Sequence, residues 1–307
     1  MDGYASELKE QYTAELGAVS LEYMTAGIDI FHRHLTNESD VWRSAVGMLS
    51  AGCEMAIKSF IARHNLAAIF KSLPADLQLF LTNPDAVPSF FEWRSVGPEL
   101  RAGTYNTISI RECVDAFYLF FPQEKQLLIP HISYLLRWGD AAFHTVLPPL
   151  NRYGFERTGY AVLHIADILS KSAPESSFFY MPTTHDRRFM ESFHTRRVER
   201  VRLAVQKAGN TDIEEDLPED LPPFGWDVYV TECPVCGSKG TAQGYTQLAV
   251  SSDRDNSRHG LDFFPVSFSC GACGLRLNDL EEMKLGSLPI LFDRSSELEK
   301  WFEEHHK

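Results

Sequence analysis

The residues with the plainest chemistry are four cysteines in two matched pairs. Cys233-Pro-Val-Cys236-Gly and Cys270-Gly-Ala-Cys273-Gly are separated by 33 residues. Each pair has the spacing of a tight knuckle, and the glycine after each second cysteine lets the backbone turn so that N–H groups face the sulfurs. Four thiolates fill a tetrahedral Zn²⁺ shell and leave no position open for water, so the chemistry they suggest is structural rather than catalytic. The competing use of such a spacing is a redox dithiol. Two matched pairs, both followed by glycine, favour one zinc site made of Cys233, Cys236, Cys270 and Cys273. The stretch between the pairs is longer than usual ribbon spacing, which predicts an intervening β-hairpin.

A second group could act on a phosphate. Arg137-Trp138-Gly139-Asp140-Ala141-Ala142-Phe143-His144 places three polar residues on one stripe of a helix, because positions seven apart are nearly eclipsed and Asp140 is spaced to meet both others. An imidazole and a guanidinium on one face suit RNA cleavage by the 2′-hydroxyl. His144 would move the proton, Arg137 would stabilise charge building on the phosphate, and Asp140 would orient one of them. A surface Arg–Asp pair with an unrelated histidine beside it satisfies the same spacing, and the residues alone leave both readings open. Arg187 and His194 repeat that spacing, with Glu191 between them, in the most basic part of the chain. That stretch reads as a nucleic-acid or partner surface carried by Arg187, Arg188, His194, Arg196, Arg197 and Arg200. A solvated charged helix is the alternative.

These groups need elements to hold them. Residues 5–36 read as a helix. Asn37-Glu38-Ser39-Asp40 is a helix-start signal, after which Trp42, Val46, Leu49, Cys53, Ala56 and Phe60 recur at helical spacing. Cys53 on that stripe is a core residue, and Glu54 with Lys58 is most simply an exposed pair four apart. Residues 84–104 read as a loop with a short helix. Further helices are predicted over 110–121, from Pro130 to about Leu147, over 155–171 and over 186–208. Trp226 to Thr231, Thr241 to Val250 and Phe263 to Ser269 alternate like strands, and 297–304 reads as a short acidic helix.

Composition sets the frame. With 307 residues, 44% hydrophobic and 23% charged, the chain is an ordinary globular protein with a soft prior of two domains. A net charge of −13 opposes broad nucleic-acid affinity and leaves room only for a local basic groove. The apolar run Val114 to Phe121 is too short to span a bilayer. Met1-Asp2-Gly3-Tyr4 lacks a signal-peptide start. Only Cys53 and Cys113 lie outside the knuckles, which fits a reducing cytosol. The expectation is therefore cytoplasmic, with no membrane contact. No phosphate-cradling glycine loop, nucleophile elbow or His-Glu-x-x-His is present.

The order of features resembles a known family. An amphipathic helix with Glu54-Met-Ala-Ile-Lys58, a helix containing Glu112-Cys-Val-Asp115, an Arg-x6-His segment and a closing helix look like the HEPN superfamily of α-helical domains, over roughly residues 15–172. The resemblance implies a homodimer assembled around Arg137 and His144. It also implies a metal-independent endoribonuclease of a bacterial defence or toxin type, with the ribbon selecting an RNA target or a protein partner. The non-enzymatic alternative is a zinc-ribbon scaffold that docks protein or nucleic acid in a larger assembly. The expected architecture is mainly α. It comprises a HEPN-like multi-helix domain over 1–175, a basic helix and acidic proline-rich linker over 176–223, and a small β zinc-ribbon domain over 224–307 with a short terminal helix.

Overall fold

The structure is a computed structural model and describes residues 2–35, 42–86, 95–120, 128, 131–132, 135, 152–172, 179–208, 227–253, 256–289 and 292–293. Its helices are α1 (Asp2–His34), α2 (Trp42–His64), α3 (Ala75–Thr82), α4 (Val96–Arg101), α5 (Ile110–Phe120), α6 (Arg152–Ser172), α7 (Thr184–Ala208) and α8 (Leu280–Leu285). Short 3₁₀ turns cover Leu66–Ile69 and Pro84–Ala86. The strands are β1 (Asp227–Glu232), β2 (Lys239–Asp253), β3 (Asn256–Ser269), β4 (Arg276–Leu277) and β5 (Phe292–Asp293). The architecture is mainly helical with a C-terminal antiparallel sheet. Two compact units divide at Met190/Glu191, inside α7. That point lies within residues 176–223, which the sequence reads as a basic helix and linker.

In the first unit, α1 and α2 are antiparallel partners. Ser59 Oγ donates to the Thr13 carbonyl at 2.9 Å, Ser20 Oγ donates to the Gly52 carbonyl at 2.8 Å, and Cys53 Sγ lies 3.9 Å from Met24 Sδ. The stripe expected on α2 is core where it is described: Val46, Leu49 and Cys53 are fully buried and Ala56 and Phe60 nearly so, with Ile57 and Ile61 buried beside them. Burial pushes the Cys53 and Cys113 thiols up to about 12, so both behave as small apolar groups. α2 is long and apolar enough to cross a membrane by composition, but 78% of its most apolar window is buried inside the protein. It is accounted for as a core helix.

One pairing on α2 differs from expectation. Lys58 is not exposed. Its Nζ donates to Glu54 Oε1 at 2.6 Å and to Thr107 Oγ1 at 3.1 Å, with the lysine side chain 4% exposed. The chain after α2 makes the difference, because Phe70 and Thr107 form a bridge beside it and Ile108 N–H donates to the Ile69 carbonyl. Helical spacing alone does not reveal such a cover.

Leu128, His131, Ile132 and Leu135 are helical and buried, the i, i+3, i+4, i+7 pattern of a core face. Arg137, Asp140 and His144 lie outside the described residues, as does the predicted helix over 297–304. His131 stacks on His164 of α6 with centroids 4.6 Å apart, and on α6 itself Arg157 is fully buried with its guanidinium 5.6 Å from the Tyr160 ring centre.

The start of α7 is fixed by Asp186. Thr183 caps the helix: its N–H and hydroxyl each donate to Asp186 Oδ2 at 2.7 Å, and Asp186 N–H donates back to Thr183 Oγ1. Tyr180 hydroxyl donates to the same oxygen at 2.9 Å, and His32 Nε2 sits 2.6 Å from Oδ1. Burial pushes the Asp186 carboxyl up, but the bonds from His32, Thr183 and Tyr180 outweigh it and bring the pKa to about 2. A carboxyl lowered by folding stabilises the protein above its unfolded value of about 4, and the gain disappears as pH falls from there towards 2. In thermal melts followed by circular dichroism, Asp186→Asn is expected to lose about 1 kcal/mol at neutral pH. The variant should also show a flatter stability profile than the wild type between pH 4 and pH 2. Parallel profiles would remove Asp186 as the source of that acid sensitivity.

Candidate metal centre

The four knuckle cysteines converge. Their sulfurs all lie within 4.8 Å of one another, with Cys233 Sγ 3.5 Å from Cys273 Sγ and Cys236 Sγ 3.6 Å from Cys270 Sγ. A tetrahedral shell of Zn–S bonds of about 2.3 Å has edges of about 3.8 Å. The cluster therefore fits a metal ion such as zinc. It is the one metal-capable group of three or more His, Cys, Asp or Glu side chains among the described residues.

Each half is built by the same backbone device. Cys233 N–H donates to the Ser238 carbonyl and Gly237 N–H to the Cys233 carbonyl; Cys270 N–H donates to the Leu275 carbonyl and Gly274 N–H to the Cys270 carbonyl. Gly237 and Gly274 have φ of 70° and 69°, the left-handed region that a side chain disfavours. The glycines after each pair thus close the turns. The backbone N–H and hydroxyl of Ser238 lower the exposed Cys236 thiol to about 6, whereas burial pushes Cys233 and Cys273 up.

The sheet holds the two knuckles at one end. β1 pairs with β2, β2 with β3, and β3 with both β4 and β5, all antiparallel. The first knuckle joins β1 to β2 and the second joins β3 to β4, so the pairing of Thr241 with Ser269 sets their separation. The expected hairpin between the knuckles is the β2–β3 ladder, longer than the predicted strands and bulged at Gln243/Gly244. A Cβ on Gly244 would lie 2.0 Å from the Phe264 carbonyl oxygen, so the bulge admits only glycine without backbone movement.

The second half of α7 belongs to this unit. Val201 and Ala208 share one apolar cluster with Cys233, Cys270, Cys273, Phe263, Phe268 and Leu277. Arg197 is fully buried and ion-paired with Glu281, and Arg200 pairs with Glu282, which is itself buried. α8 presents these carboxylates in fixed positions: Asp279 caps it by accepting from Glu282 N–H at 2.9 Å, and Glu282 accepts from Asn278 N–H at 2.8 Å. α8 was missed in the sequence, although Asp279-Leu-Glu-Glu282 is a capping-box pattern that marks a helix start.

This corrects part of the basic surface. Arg197 is not on an exposed face, and Arg200 is turned onto Glu282, because their charges are answered by α8. Arg187 is half-exposed and sits 3.0 Å from Asp167 of α6. Arg188, His194 and Arg196 are exposed. No protein-family model matches the chain, and no curated protein or solved structure shows significant similarity to it.

Removing one partner of a buried ion pair typically costs about 3–5 kcal/mol. Arg197→Leu keeps bulk and removes the charge. By hydrogen exchange, it should speed exchange of β2 and β3 amides while leaving α1 and α2 unchanged. Unchanged protection in the sheet would show that the Arg197–Glu281 pair does not support it.

Proposed function

We propose that this chain is a zinc-dependent docking protein, a helical unit carrying a zinc ribbon that binds a protein partner within a larger assembly. The observation that carries this reading is the four-sulfur cluster closed by two equivalent knuckles. Zinc held there would crosslink the two turns and supply folding energy to a unit built around a small sheet. With every coordination position taken by a thiolate, such a centre leaves no place for a substrate or an activated water. Its use is then to shape a surface. The net charge of −13 opposes a phosphate backbone as the partner and favours protein. Full-length protein purified without chelator should contain one zinc per chain by elemental analysis. Stripping the metal, or Cys236→Ser, should abolish amide protection in β2 and β3. Metal-free protein with a protected sheet would refute the reading.

A second reading keeps the enzyme. Arg137, Asp140 and His144 lie outside the described residues, and the reading rests on their types and spacing and on the HEPN resemblance. On the HEPN resemblance the chain would be a homodimeric, metal-independent endoribonuclease leaving 2′,3′-cyclic phosphate and 5′-hydroxyl ends. His144 would transfer the proton, Arg137 would clamp the phosphate and Asp140 would orient one of them. Incubated with total RNA without added divalent metal, the wild type should cleave. His144→Ala and Arg137→Ala should each lose at least about 10²-fold in rate. Cleavage at full rate by nuclease-free His144→Ala would reject this reading.

A further inference from the structure

We propose that β1 is a docking edge, and that its occupant is an extended, basic segment of a partner protein that adds a strand to the sheet. The inference rests on the docking-protein reading and names where and what it docks.

Among the described residues β1 pairs with β2 alone, so its other edge carries main-chain donors and acceptors without strand partners. Open edges are normally blunted by lysine, proline, a bulge or an inward charge. β1 has none of these between its ends: its residues are Asp227, Val228, Tyr229, Val230, Thr231 and Glu232, and the bulge of the ladder is on β2. Alternation splits the strand cleanly. Tyr229 faces the core, its ring 4.5 Å from that of Phe292 and 5.5 Å from that of Phe263. Val228 and Val230 face outward, 50% and 56% exposed, on the same side of the strand. Two adjacent outward valines on an unguarded edge form a pair of side-chain contacts for an incoming strand, whose affinity comes from main-chain hydrogen bonds.

Charge selects the occupant. β1 itself carries two carboxylates, Asp227 and Glu232, and no lysine or arginine. Lys239 lies opposite Glu232 in the ladder, whereas Asp227 lies opposite Gly244, which carries no cation, so the negative charge of the strand weighs towards Asp227. Asp227 itself accepts from the Thr246 hydroxyl, which fixes its carboxylate at that end. The complementary ligand is a β-branched segment with lysine or arginine at the end lying beside Asp227. The same carboxylates disfavour nucleic acid. They also disfavour pairing of two copies of β1, since antiparallel self-pairing about its centre would set Asp227 against Glu232.

The test uses full-length, zinc-loaded protein and a fluorescein-labelled peptide, Lys-Lys-Val-Thr-Val-Thr-Val, in fluorescence anisotropy. Three comparisons isolate the mechanism: the peptide with its lysines replaced by glutamates, the lysine peptide N-methylated at alternate residues, and the protein variant Val228→Lys/Val230→Lys. Each should weaken binding at least about tenfold, the N-methylated peptide because it keeps charge and side chains but loses strand donors. Equal binding of the N-methylated peptide, or equal binding by the double variant, would overturn the strand-addition proposal. So would absence of binding by protein shown to hold one zinc. A dimer in light scattering that the double variant abolishes would assign the edge to a second copy and overturn it as well. Protein that purifies without zinc fails the docking reading before any peptide is added, so the two failures are separable.

Discussion

Four sulfurs within 4.8 Å of one another are a constraint that the rest of the C-terminal unit must satisfy. Thiolates so close repel, and only a shared cation removes the repulsion while keeping them deprotonated. The backbone is already committed to that arrangement. Both knuckles close through the same pair of hydrogen bonds, both place a glycine in the left-handed region, and the β2–β3 ladder sets their separation. The elements around them follow: the second half of α7 supplies apolar cover, and the short α8 supplies the carboxylates that answer α7's arginines.

The knuckles were legible because their determinants are local. A pair of cysteines three apart and a following glycine fix a turn of five residues, and two such turns specify one centre. The main helices were legible for a similar reason. Val46, Leu49 and Cys53 repeat at the helical period and are buried. What the sequence hid were pairings between distant segments. Lys58 looks like half of an exposed helix pair until Thr107 is brought beside it. Arg197 and Arg200 look like part of a basic face until Glu281 and Glu282 are placed against them. A helical wheel records which face a residue occupies, not what later covers that face.

The burial of Arg197 also changes what the basic helix can mean. A guanidinium removed from water is tolerated only with a carboxylate held close and in register. α8 is just six residues long, and an isolated helix of that length is unstable in water. Its geometry comes from the Asp279 cap and from the cluster in which Met283 packs with the cysteines. The arginine's burial is therefore conditional on the same core that contains the sulfurs. A run of positive charge that reads as an interaction surface is divided by its fold. One side is spent on pairing with α8, and Arg188, His194 and Arg196 are exposed, Arg196 with its guanidinium 5.7 Å from the Phe193 ring centre.

The same logic separates the two sides of β1. Tyr229 is held by Phe263 and Phe292, so the strand's inward face is already satisfied. Val228 and Val230 remain about half exposed: an alternating strand buries one face and leaves the other largely to solvent, and the exposed part of each valine costs hydration that threonine would not. Nothing in the ribbon's own stability requires β-branched apolar residues there beyond their strand propensity, which threonine also satisfies. A partner that covers them recovers that hydration cost. On the proposed docking, Asp227 and Glu232 at the ends of the strand would favour a basic partner over an acidic one, so main-chain hydrogen bonds would supply affinity while charge would supply selection.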